Sequence, residues 1–466
     1  MSDVTIEWIN HAGYMLEHND VGLVVDPWLD GAVFDSGWEL LAPTKFSSED
    51  WDRATALWLS HEHPDHFHPP SLASIPTEVR DRLEVLFQET GDQRVIDWCS
   101  TRFGAVREMS PGQWVPVGDG IEALCGPHDN GDSWLAVRTP AGLVLNLNDC
   151  VVSTAAECDQ IMQQTGRPDV LLSQFSYANW TGNPGDKASM AAAAEEKISW
   201  LLTQIDGFRP RVTIPFASFV WFGHEDNVHL NEGALPIAEV IGRLRGAGAP
   251  VQLLYPGDRW AVGPPDDALT ERAIARYERD RRWRSTNPPR SGRTVPMEEL
   301  IATADAWAAE LRTHNGPAVR LLPSARIHLR DHNATYRLDS RGLRPAEIDP
   351  DHCDLQLRSD ALDAALSVSY GGRTLDINGR FAVPPNGHYS RFKALATLAA
   401  FNTRDESWRE VLLTIGRRML ARAKSLTPRR HRSRPARWSP VGYRLAGAAA
   451  IPPAATNGTH RGEKAR

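Results

Sequence analysis

The sequence lacks the features that mark membrane-spanning proteins and secreted disulfide-rich proteins. None of its apolar runs reaches the roughly 20 residues that a transmembrane helix needs. The opening MSDVTIEWIN has neither the basic segment nor the apolar core of a signal peptide. Only five cysteines occur among 466 residues, at irregular spacing. We therefore expect a cytoplasmic protein without a membrane span and without a disulfide framework.

Acidic and basic residues are both common, but they are unevenly distributed along the chain. The net charge is −8, whereas residues 404–466 contain fifteen Lys and Arg against four Asp and Glu. Such a basic segment could contact nucleic acid, anionic lipid or an acidic partner. We favour a solvated, mostly disordered tail and expect no nucleic-acid partner.

The chain is long enough for more than one domain, and 41% of its residues are apolar, as in globular proteins. Short β-branched runs alternate with helical patterns in the first half, which is typical of a layered α/β domain. We predict this domain at 1–263, a helical linker at 264–317, a small α+β domain at 318–403 and the basic tail at 404–466.

Three further stretches predict individual helices and a strand. The stretch DKASMAAAAEEKISWLLTQI predicts a long helix with Asp186 as its N-cap. A second helix in EGALPIAEVIGRLRGAG precedes a predicted strand, VQLLY. The charged stretch PPDDALTERAIARYERDRRWRS predicts a surface helix.

The most informative stretch is LWLSHEHPDHFH, which places three histidines and an aspartate after a predicted strand. In an extended segment His61 and His63 point the same way and can hold one ion together. Asp65 and His66 follow directly, where they can reach a second ion, whereas His68 falls outside the pattern and is expected at the surface. Imidazole and carboxylate ligands suit zinc and iron. We favour a metal site over a solvated polar turn.

Two metal ions need further ligands, and three residues that follow later predicted strands can supply them. These residues are His128, Asp149 and His224. His229 is a competitor for His224, and we prefer His224 because it follows the strand end in PFASFVWFG directly. Asp129 and Asp132 compete with Asp149, but both lie in the loop just after His128.

The order H-x-H-x-D-H, His, Asp, His resembles the metallo-β-lactamase superfamily. This resemblance implies an α/β fold, an αββα sandwich with a dinuclear site at the sheet edges. It implies a first ion held by His61, His63 and His128, a second held by Asp65, His66 and His224, and Asp149 as the bridge. It also places His11 and Asp26 beside the ligands. Asp26 could accept a hydrogen bond from a ligand histidine or cap the DPW turn.

A wider set of motifs is similar to the cytidine monophosphate N-acetylneuraminate hydroxylase group. The motifs are HAGYML, VVDPWL, LNLNDC, YANWTGNPGD, PFASFVWFGHEDNVHLN and YGGRTLDINGRF. The resemblance implies two iron ions and oxygen-dependent hydroxylation. That group also carries a Rieske module, which needs C-x-H and C-x-x-H pairs. Here the only C-x-x-H runs from Cys125 to His128 and there is no C-x-H, so we expect no Rieske unit.

Without that module, electrons would have to come from an external ferredoxin or reductase. The substrate is expected to be a polar small molecule, which need not be a sialic acid. Two other functions stay open. One is a zinc hydrolase in which Asp65 orients the attacking water. The other is lipid binding by the C-terminal unit.

A loop after a predicted strand, SYANWTGNPGDK, is the candidate substrate contact. We predict Tyr177, Asn179 and Trp180 as the contacting residues. The alternative is a turn that packs Trp180 into the core. Trp221 and Phe222 beside His224 are predicted to form a core wall.

Overall fold

The computed structural model describes residues 4–128, 131–368 and 370–402. Twenty strands and eleven helices lie in these ranges. The strands are β1 (Thr5–Asn10), β2 (Gly13–His18), β3 (Val21–Val25), β4 (Ala32–Val33), β5 (Trp38–Leu40), β6 (Ala56–Leu59), β7 (Glu84–Gln88), β8 (Ala105–Met109), β9 (Val115–Gly118), β10 (Ile121–Pro127), β11 (Ser133–Thr139), β12 (Gly142–Asn146), β13 (Val170–Gln174), β14 (Val212–Phe216), β15 (Val220–Phe222), β16 (Arg259–Ala261), β17 (Ala325–Leu329), β18 (Ala334–Asp339), β19 (Gly342–Pro345) and β20 (Leu355–Leu357). The helices are α1 (Pro69–Ala73), α2 (Thr77–Arg80), α3 (Arg94–Ser100), α4 (Ala155–Thr165), α5 (Lys187–Phe208), α6 (Ile237–Gly246), α7 (Asp267–Thr286), α8 (Met297–Asn315), α9 (Ser359–Ser367), α10 (Gly371–Asn378) and α11 (Ser390–Asn402).

Two sheets face each other across the main core. The first has the order β16-β1-β2-β3-β6-β7-β8 and the second β14-β13-β12-β11-β10-β9. The inner strands of both sheets are buried on both faces and are nearly continuous apolar runs, whereas the edge strands β8 and β9 are partly exposed. In β1, Ile6 and Trp8 lie in the core between the sheets, whereas Ile9 packs with α1, α2 and α3 on the outside. Helices α4 and α5 cover the second sheet. The predicted αββα sandwich is confirmed.

The predicted N-cap of α5 is confirmed, whereas the predicted strand after α6 is not formed. Asp186 is the N-cap of α5, where its side chain accepts a hydrogen bond from the backbone N–H of Ser189 at 3.2 Å. The predicted strand VQLLY is wrong, since only Val251 makes a bridge, with Thr213. The backbone N–H of Leu253 donates instead to Oγ1 of Thr270 on α7, so this segment bonds to a helix rather than to a sheet.

The charged helix α7 is not simply a surface helix. Leu269, Ala273 and Tyr277 on one of its faces are buried in the core of the sandwich. The next helix, α8, packs through Leu300 and Trp307 into a separate core with the last four strands. The predicted linker is therefore divided between two cores, and the exact domain boundaries stay a prediction.

The C-terminal unit combines a sheet of order β19-β18-β17-β20 with the helices α8 to α11, which is the predicted α+β composition. Helix α10 ends at Gly379, whose φ of +65° closes the helix in the left-handed region that glycine tolerates. The basic tail predicted at 404–466 lies outside the described residues. No helix within the described ranges is long and apolar enough to cross a membrane.

Candidate metal centre

The candidate site lies where several strands of the sandwich end. Strands β3 and β6 are parallel neighbours, so their carboxyl ends meet at one edge of the first sheet. Asp26 follows β3, and Ser60 and His61 follow β6. His11 lies in the turn between β1 and β2 at the same edge, and Asp149 follows β12 of the facing sheet. The sandwich thus brings polar side chains together from loops that are distant in sequence.

Among the described residues, three groups of His and Asp each place their ligand atoms within 4.8 Å of one another. The groups are His11–Asp65–His66, His61–His66–Asp149 and His61–His63–Asp132. His61 and His66 each belong to two groups, so the three form one continuous cluster. Every group contains two imidazoles and one carboxylate. Five of the seven predicted ligands are therefore brought together, namely His61, His63, Asp65, His66 and Asp149.

Asp149 lies between two histidines of the cluster. Its Oδ1 is 3.4 Å from Nε2 of His66, and its Oδ2 is 3.9 Å from Nε2 of His61. The same Nε2 of His66 is 3.3 Å from Oδ2 of Asp65. The Nε2 of His61 is also 3.7 Å from Oδ1 of Asp132. Each oxygen of Asp149 thus faces a different imidazole, which is the arrangement that a bridging carboxylate requires.

Asp26 supports the cluster from behind and is fully buried. Its Oδ1 accepts a hydrogen bond from the backbone N–H of Ser60 at 2.9 Å. Its Oδ2 accepts from the Ser60 hydroxyl at 2.7 Å, from Nδ1 of His66 at 2.9 Å and from Nδ2 of Asn148 at 2.9 Å. The carboxylate therefore orients a histidine of the cluster instead of capping the DPW turn, which closes through a backbone hydrogen bond from Trp28.

These hydrogen bonds also determine which ring nitrogens face the centre. An ionised carboxylate only accepts, so Nδ1 of His66 carries the hydrogen that it shares with Asp26. The Ser60 hydroxyl donates to Asp26 and accepts from Nδ1 of His61 at 2.9 Å. Both histidines are thereby held with Nε2 towards the cluster. Metal-binding histidines are commonly oriented through their second nitrogen in this way.

The charges in the cluster are strongly coupled. Burial alone would raise the pKa of Asp65, but the neighbouring His66 and His11 hold it well below its usual range. For His66 the balance is reversed: burial lowers its pKa, and Asp65 and Asp149 raise it well above the usual range. Burial, together with His66 and His63, lowers the pKa of His61 well below that of a free imidazole. Metal binding requires neutral imidazoles, so it would compete with protons at these histidines.

The hydrogen bonds of the cluster leave several of its donor atoms available to a metal ion. Within the three ligand groups, three buried atoms have no hydrogen-bond partner among the described residues: Nδ1 of His11, Oδ1 of Asp65 and Nε2 of His66. Buried polar atoms are rarely left unpartnered. Imidazole nitrogens and carboxylate oxygens are ligands that zinc and iron accept. The residues present fit a metal centre.

The backbone around the cluster is strained. His11, Asp26 and Asn148 have φ values of +38°, +38° and +52°, in the left-handed region that non-glycine residues rarely adopt. Such residues cost about 1–3 kcal/mol each and concentrate at functional sites. All three contribute side chains to the cluster or to the hydrogen bonds around Asp26. The strained backbone therefore lies at the residues that position the polar side chains of the candidate metal centre.

Two predicted ligands lie outside the three groups. The backbone N–H of His128 donates to the carbonyl oxygen of Asp132 at 2.7 Å, and Asp132, which the sequence suggested only as a rival to Asp149, joins His61 and His63 instead. Nδ1 of His224 is 3.1 Å from Oδ2 of Asp226. Its competitor, His229, is 3.1 Å from the carbonyl oxygen of Gly182, and Asp129 lies outside the described residues.

The prediction that His68 lies at the surface is wrong. His68 is buried and accepts a hydrogen bond from the backbone N–H of Ser71 as the N-cap of α1. Burial lowers the pKa of His68 to about 4, which favours the neutral, accepting ring. The predicted core wall is confirmed, since Trp221 and Phe222 are both buried.

Two of the three predicted substrate contacts are engaged within the protein. Tyr177 is buried, and its hydroxyl donates to the carbonyl oxygen of Leu230. Trp180 stacks on Phe381 of the C-terminal unit with ring centroids 5.0 Å apart. This packing corresponds to the alternative considered for Trp180. Asn179 is exposed, so it stays the accessible member of the predicted set.

Sequence reasoning overlooked several polar residues that the structure places around the cluster. Ser60 and Asn148 hold Asp26, and Gln174 donates to Asp149. Each of them lies at or just beyond the end of a strand, as do Asp26 and Asp149. A search for every polar residue at a strand end, rather than for His and Asp alone, would have found them.

Comparison with known proteins supports the fold and gives distant relatives. Residues 5–110 match the family model described as beta-lactamase superfamily domain. The cytidine monophosphate-N-acetylneuraminic acid hydroxylase of Danio rerio is 23% identical over 249 residues, which are 49% of this chain and 40% of that protein. The Mus musculus protein of the same name is 24% identical over 244 residues, 49% of this chain and 41% of its own length. The matches thus cover less than half of either relative.

Solved structures with similar coordinates are more distant. The diiron β-hydroxylase CmlA from Streptomyces venezuelae has a TM-score of 0.41 at 15% identity, over 56% of this chain and 54% of its own. A possible metal-dependent hydrolase from Veillonella parvula has a TM-score of 0.42 at 15% identity, over 56% of this chain and 99% of its own. At these scores neither indicates a reaction. The sandwich topology and the matched family model together make the chain a protein of the metallo-β-lactamase fold.

Proposed function

We propose that the chain is a dinuclear metal enzyme that uses two iron ions to hydroxylate a polar small molecule with dioxygen. The observation that carries the proposal is the composition of the cluster. Each of its three groups has two imidazoles and one carboxylate, the ligand set of non-haem iron oxygenases. The curated relatives named above are hydroxylases, which supports the same reaction class.

Each residue of the cluster has a proposed role. His61, His63 and Asp132 would hold one ion, and Asp65 and His66, with His11 beside them, would hold the other. Asp149 would bridge the two ions, and Asp26 would orient His66. His128 and His224, which the sequence suggested as ligands, are not assigned to an ion because both lie outside the three ligand groups of the described residues.

Iron ions bound here would supply the binding and reduction of dioxygen. Hydroxylation places one oxygen atom in a C–H bond of the substrate and releases the other as water, which consumes two electrons and two protons. We propose that a separate ferredoxin or reductase in the cytoplasm provides the electrons. The buried side chains around the cluster exclude water from one side, and exposed Asn179 is the proposed polar contact for substrate.

A zinc hydrolase is the second candidate, since two imidazoles and one carboxylate also form catalytic zinc sites. In that case Asp65 would orient the attacking water. Asp65 suits this role because the neighbouring His66 and His11 hold its pKa well below the usual range of a carboxyl group. For lipid binding through the C-terminal unit, the described residues of that unit offer no comparable cluster of polar side chains.

Metal analysis distinguishes the two candidates. The protein would be expressed with iron and zinc both available, and each metal measured per chain. About two irons, followed by oxygen consumption with a reductase and a panel of polar metabolites, is the expected result. About two zincs that resist replacement by iron, together with hydrolysis of an ester or phosphodiester, would overturn the oxygenase.

A further inference from the structure

Two polar residues lie behind Asp149 and are explained neither by the histidine motif nor by the ligand groups. Gln174 is the last residue of β13, and Lys197 lies on α5. Nζ of Lys197 donates to Oε1 of Gln174 at 3.0 Å, and Nε2 of Gln174 donates to Oδ1 of Asp149 at 2.7 Å. The three side chains form a hydrogen-bonded relay that ends at the cluster.

The chemistry of the two ends fixes the orientation of the amide between them. A lysine ammonium group can only donate hydrogen bonds, and an ionised aspartate can only accept them. The amide of Gln174 satisfies both neighbours in one orientation, with Oε1 towards Lys197 and Nε2 towards Asp149. The reversed amide would place Oε1 against the carboxylate and its NH₂ group against the ammonium group.

The surroundings show that Lys197 is not an ordinary surface lysine. Its side chain is half-buried, and Nζ lies 5.0 Å from the centroid of the Trp200 ring. Burial lowers the pKa of Lys197, while the nearby carboxylates, chiefly that of Asp149, act in the opposite direction. The flexible side chain of Lys197 is thus confined with its ammonium group against Oε1 of Gln174.

We propose that Lys197 acts through Gln174 as a positioning residue for Asp149, holding the carboxylate so that each of its oxygens faces a different histidine. One lone pair of Oδ1 is occupied by Gln174, and the other stays available on the side of His66. Oδ2 is then left facing His61. This inference rests on the metal centre of the proposed function, but not on the reaction that the centre performs.

The test measures binding of Co²⁺, whose visible absorption reports the ligand geometry, to the full chain after chelator treatment. Lys197→Met should weaken the binding of one of two Co²⁺ ions about 10- to 100-fold, as expected when a residue supporting a ligand is lost. It should also change the absorption of the remaining centre. Lys197→Arg, which keeps a donor and the charge, should restore most of the affinity. Lys187→Met, at the exposed start of the same helix, is the matched control and should bind as wild type.

A double-mutant cycle with Gln174→Leu separates the relay from a simple charge effect. If Lys197 acts through Gln174, Lys197→Met should have little further effect once Gln174→Leu is present. Additive losses of affinity would mean that the ammonium charge acts on the cluster directly, which would overturn the relay. Thermal unfolding of each metal-free variant would verify that the chain remains folded.

The results separate this inference from the proposed function. Unchanged binding of two Co²⁺ ions by Lys197→Met would overturn the relay and leave the oxygenase untouched. The expected cycle in a protein that consumes no oxygen would support the relay and count against the oxygenase. Wild-type protein that binds no Co²⁺ would overturn the relay together with the centre on which it rests.

Discussion

Arg380 of the C-terminal unit binds Asp35 of the sandwich through both the backbone and the side chain of that residue. Its Nη1 donates to the carbonyl oxygen of Asp35 at 2.9 Å and to Oδ2 at 2.5 Å, and its side chain is only 2% exposed. Its Nη2 donates to Oδ2 of Asp360 at 2.8 Å. Asp35 is the middle of three consecutive residues with positive φ, from Phe34 to Ser36. The C-terminal unit therefore holds a strained turn of the first unit in place.

This turn adjoins the metal centre. The ring of Phe34 lies 6.0 Å from that of His63 and 4.8 Å from that of Trp38. Trp38 in turn donates from Nε1 to the carbonyl oxygen of Ile377 on α10 at 3.2 Å and lies beside His11. The C-terminal unit thus supports side chains of the first unit that lie beside the cluster.

Replacement of Arg380 should be strongly destabilising. Arg380→Gln takes the cation from the buried carboxylate of Asp226 and the largely buried one of Asp360, as well as from the more exposed Asp35. We therefore expect a loss of about 3–5 kcal/mol in the free energy of unfolding. Chemical denaturation would measure it. Arg279→Gln removes an ion pair that the exposed Arg279 makes with Asp280, and it should change stability by less than about 0.5 kcal/mol. Similar small effects for both variants would show that the contact to Asp35 does not hold the units together.

Removal of the Asp26 carboxylate charge should weaken metal binding without removing a ligand. Asp26→Asn presents an amide that cannot accept from Ser60, His66 and Asn148 as the carboxylate does, so His66 loses its fixed orientation. We expect metal affinity to fall about 10- to 100-fold, as measured by chelator competition. Asp30→Asn, in the same turn but exposed, should leave the affinity unchanged. An unchanged affinity for Asp26→Asn would mean that Ser60 and Asn148 suffice to orient the histidines.

The sequence predicted the sandwich and most of the cluster because both depend on local patterns. His61, His63, Asp65 and His66 follow one strand, and their spacing alone places them together. The positions of His128 and Asp132 depend instead on how a loop closes after β10, which strand patterns do not determine. His224 could not be placed either, because its neighbour Asp226 binds Arg380 and Arg330 from the C-terminal unit. Contacts between distant parts of the chain account for these differences.

Two substitutions would show whether His128 or Asp132 completes the ion site of His61 and His63. Asp132 lies with His61 and His63, whereas the nearby His128 is outside the three ligand groups of the described residues. We expect Asp132→Ala to lower the affinity for one ion at least about tenfold, and His128→Ala to lower it much less. Isothermal titration of the metal-free protein would give both affinities. A greater loss for His128→Ala would restore the ligand set that the sequence suggested.

Asp149→Ala should empty one of the two metal positions. The carboxylate faces His66 through Oδ1 and His61 through Oδ2, so its removal takes a donor from both sides of the cluster. The ion that keeps His61, His63 and Asp132 should bind, whereas the ion beside Asp65 and His66 should be lost or bind at least about tenfold more weakly. Metal analysis after gel filtration would then give about one ion per chain, against two for the wild type. Glu196→Ala, on the nearby helix α5 and exposed, is a suitable control because it removes a neighbouring negative charge without removing a ligand. Two tightly bound ions in Asp149→Ala would show that water or Asp65 bridges the metals, and Asp149 would then be a partner of Gln174 only.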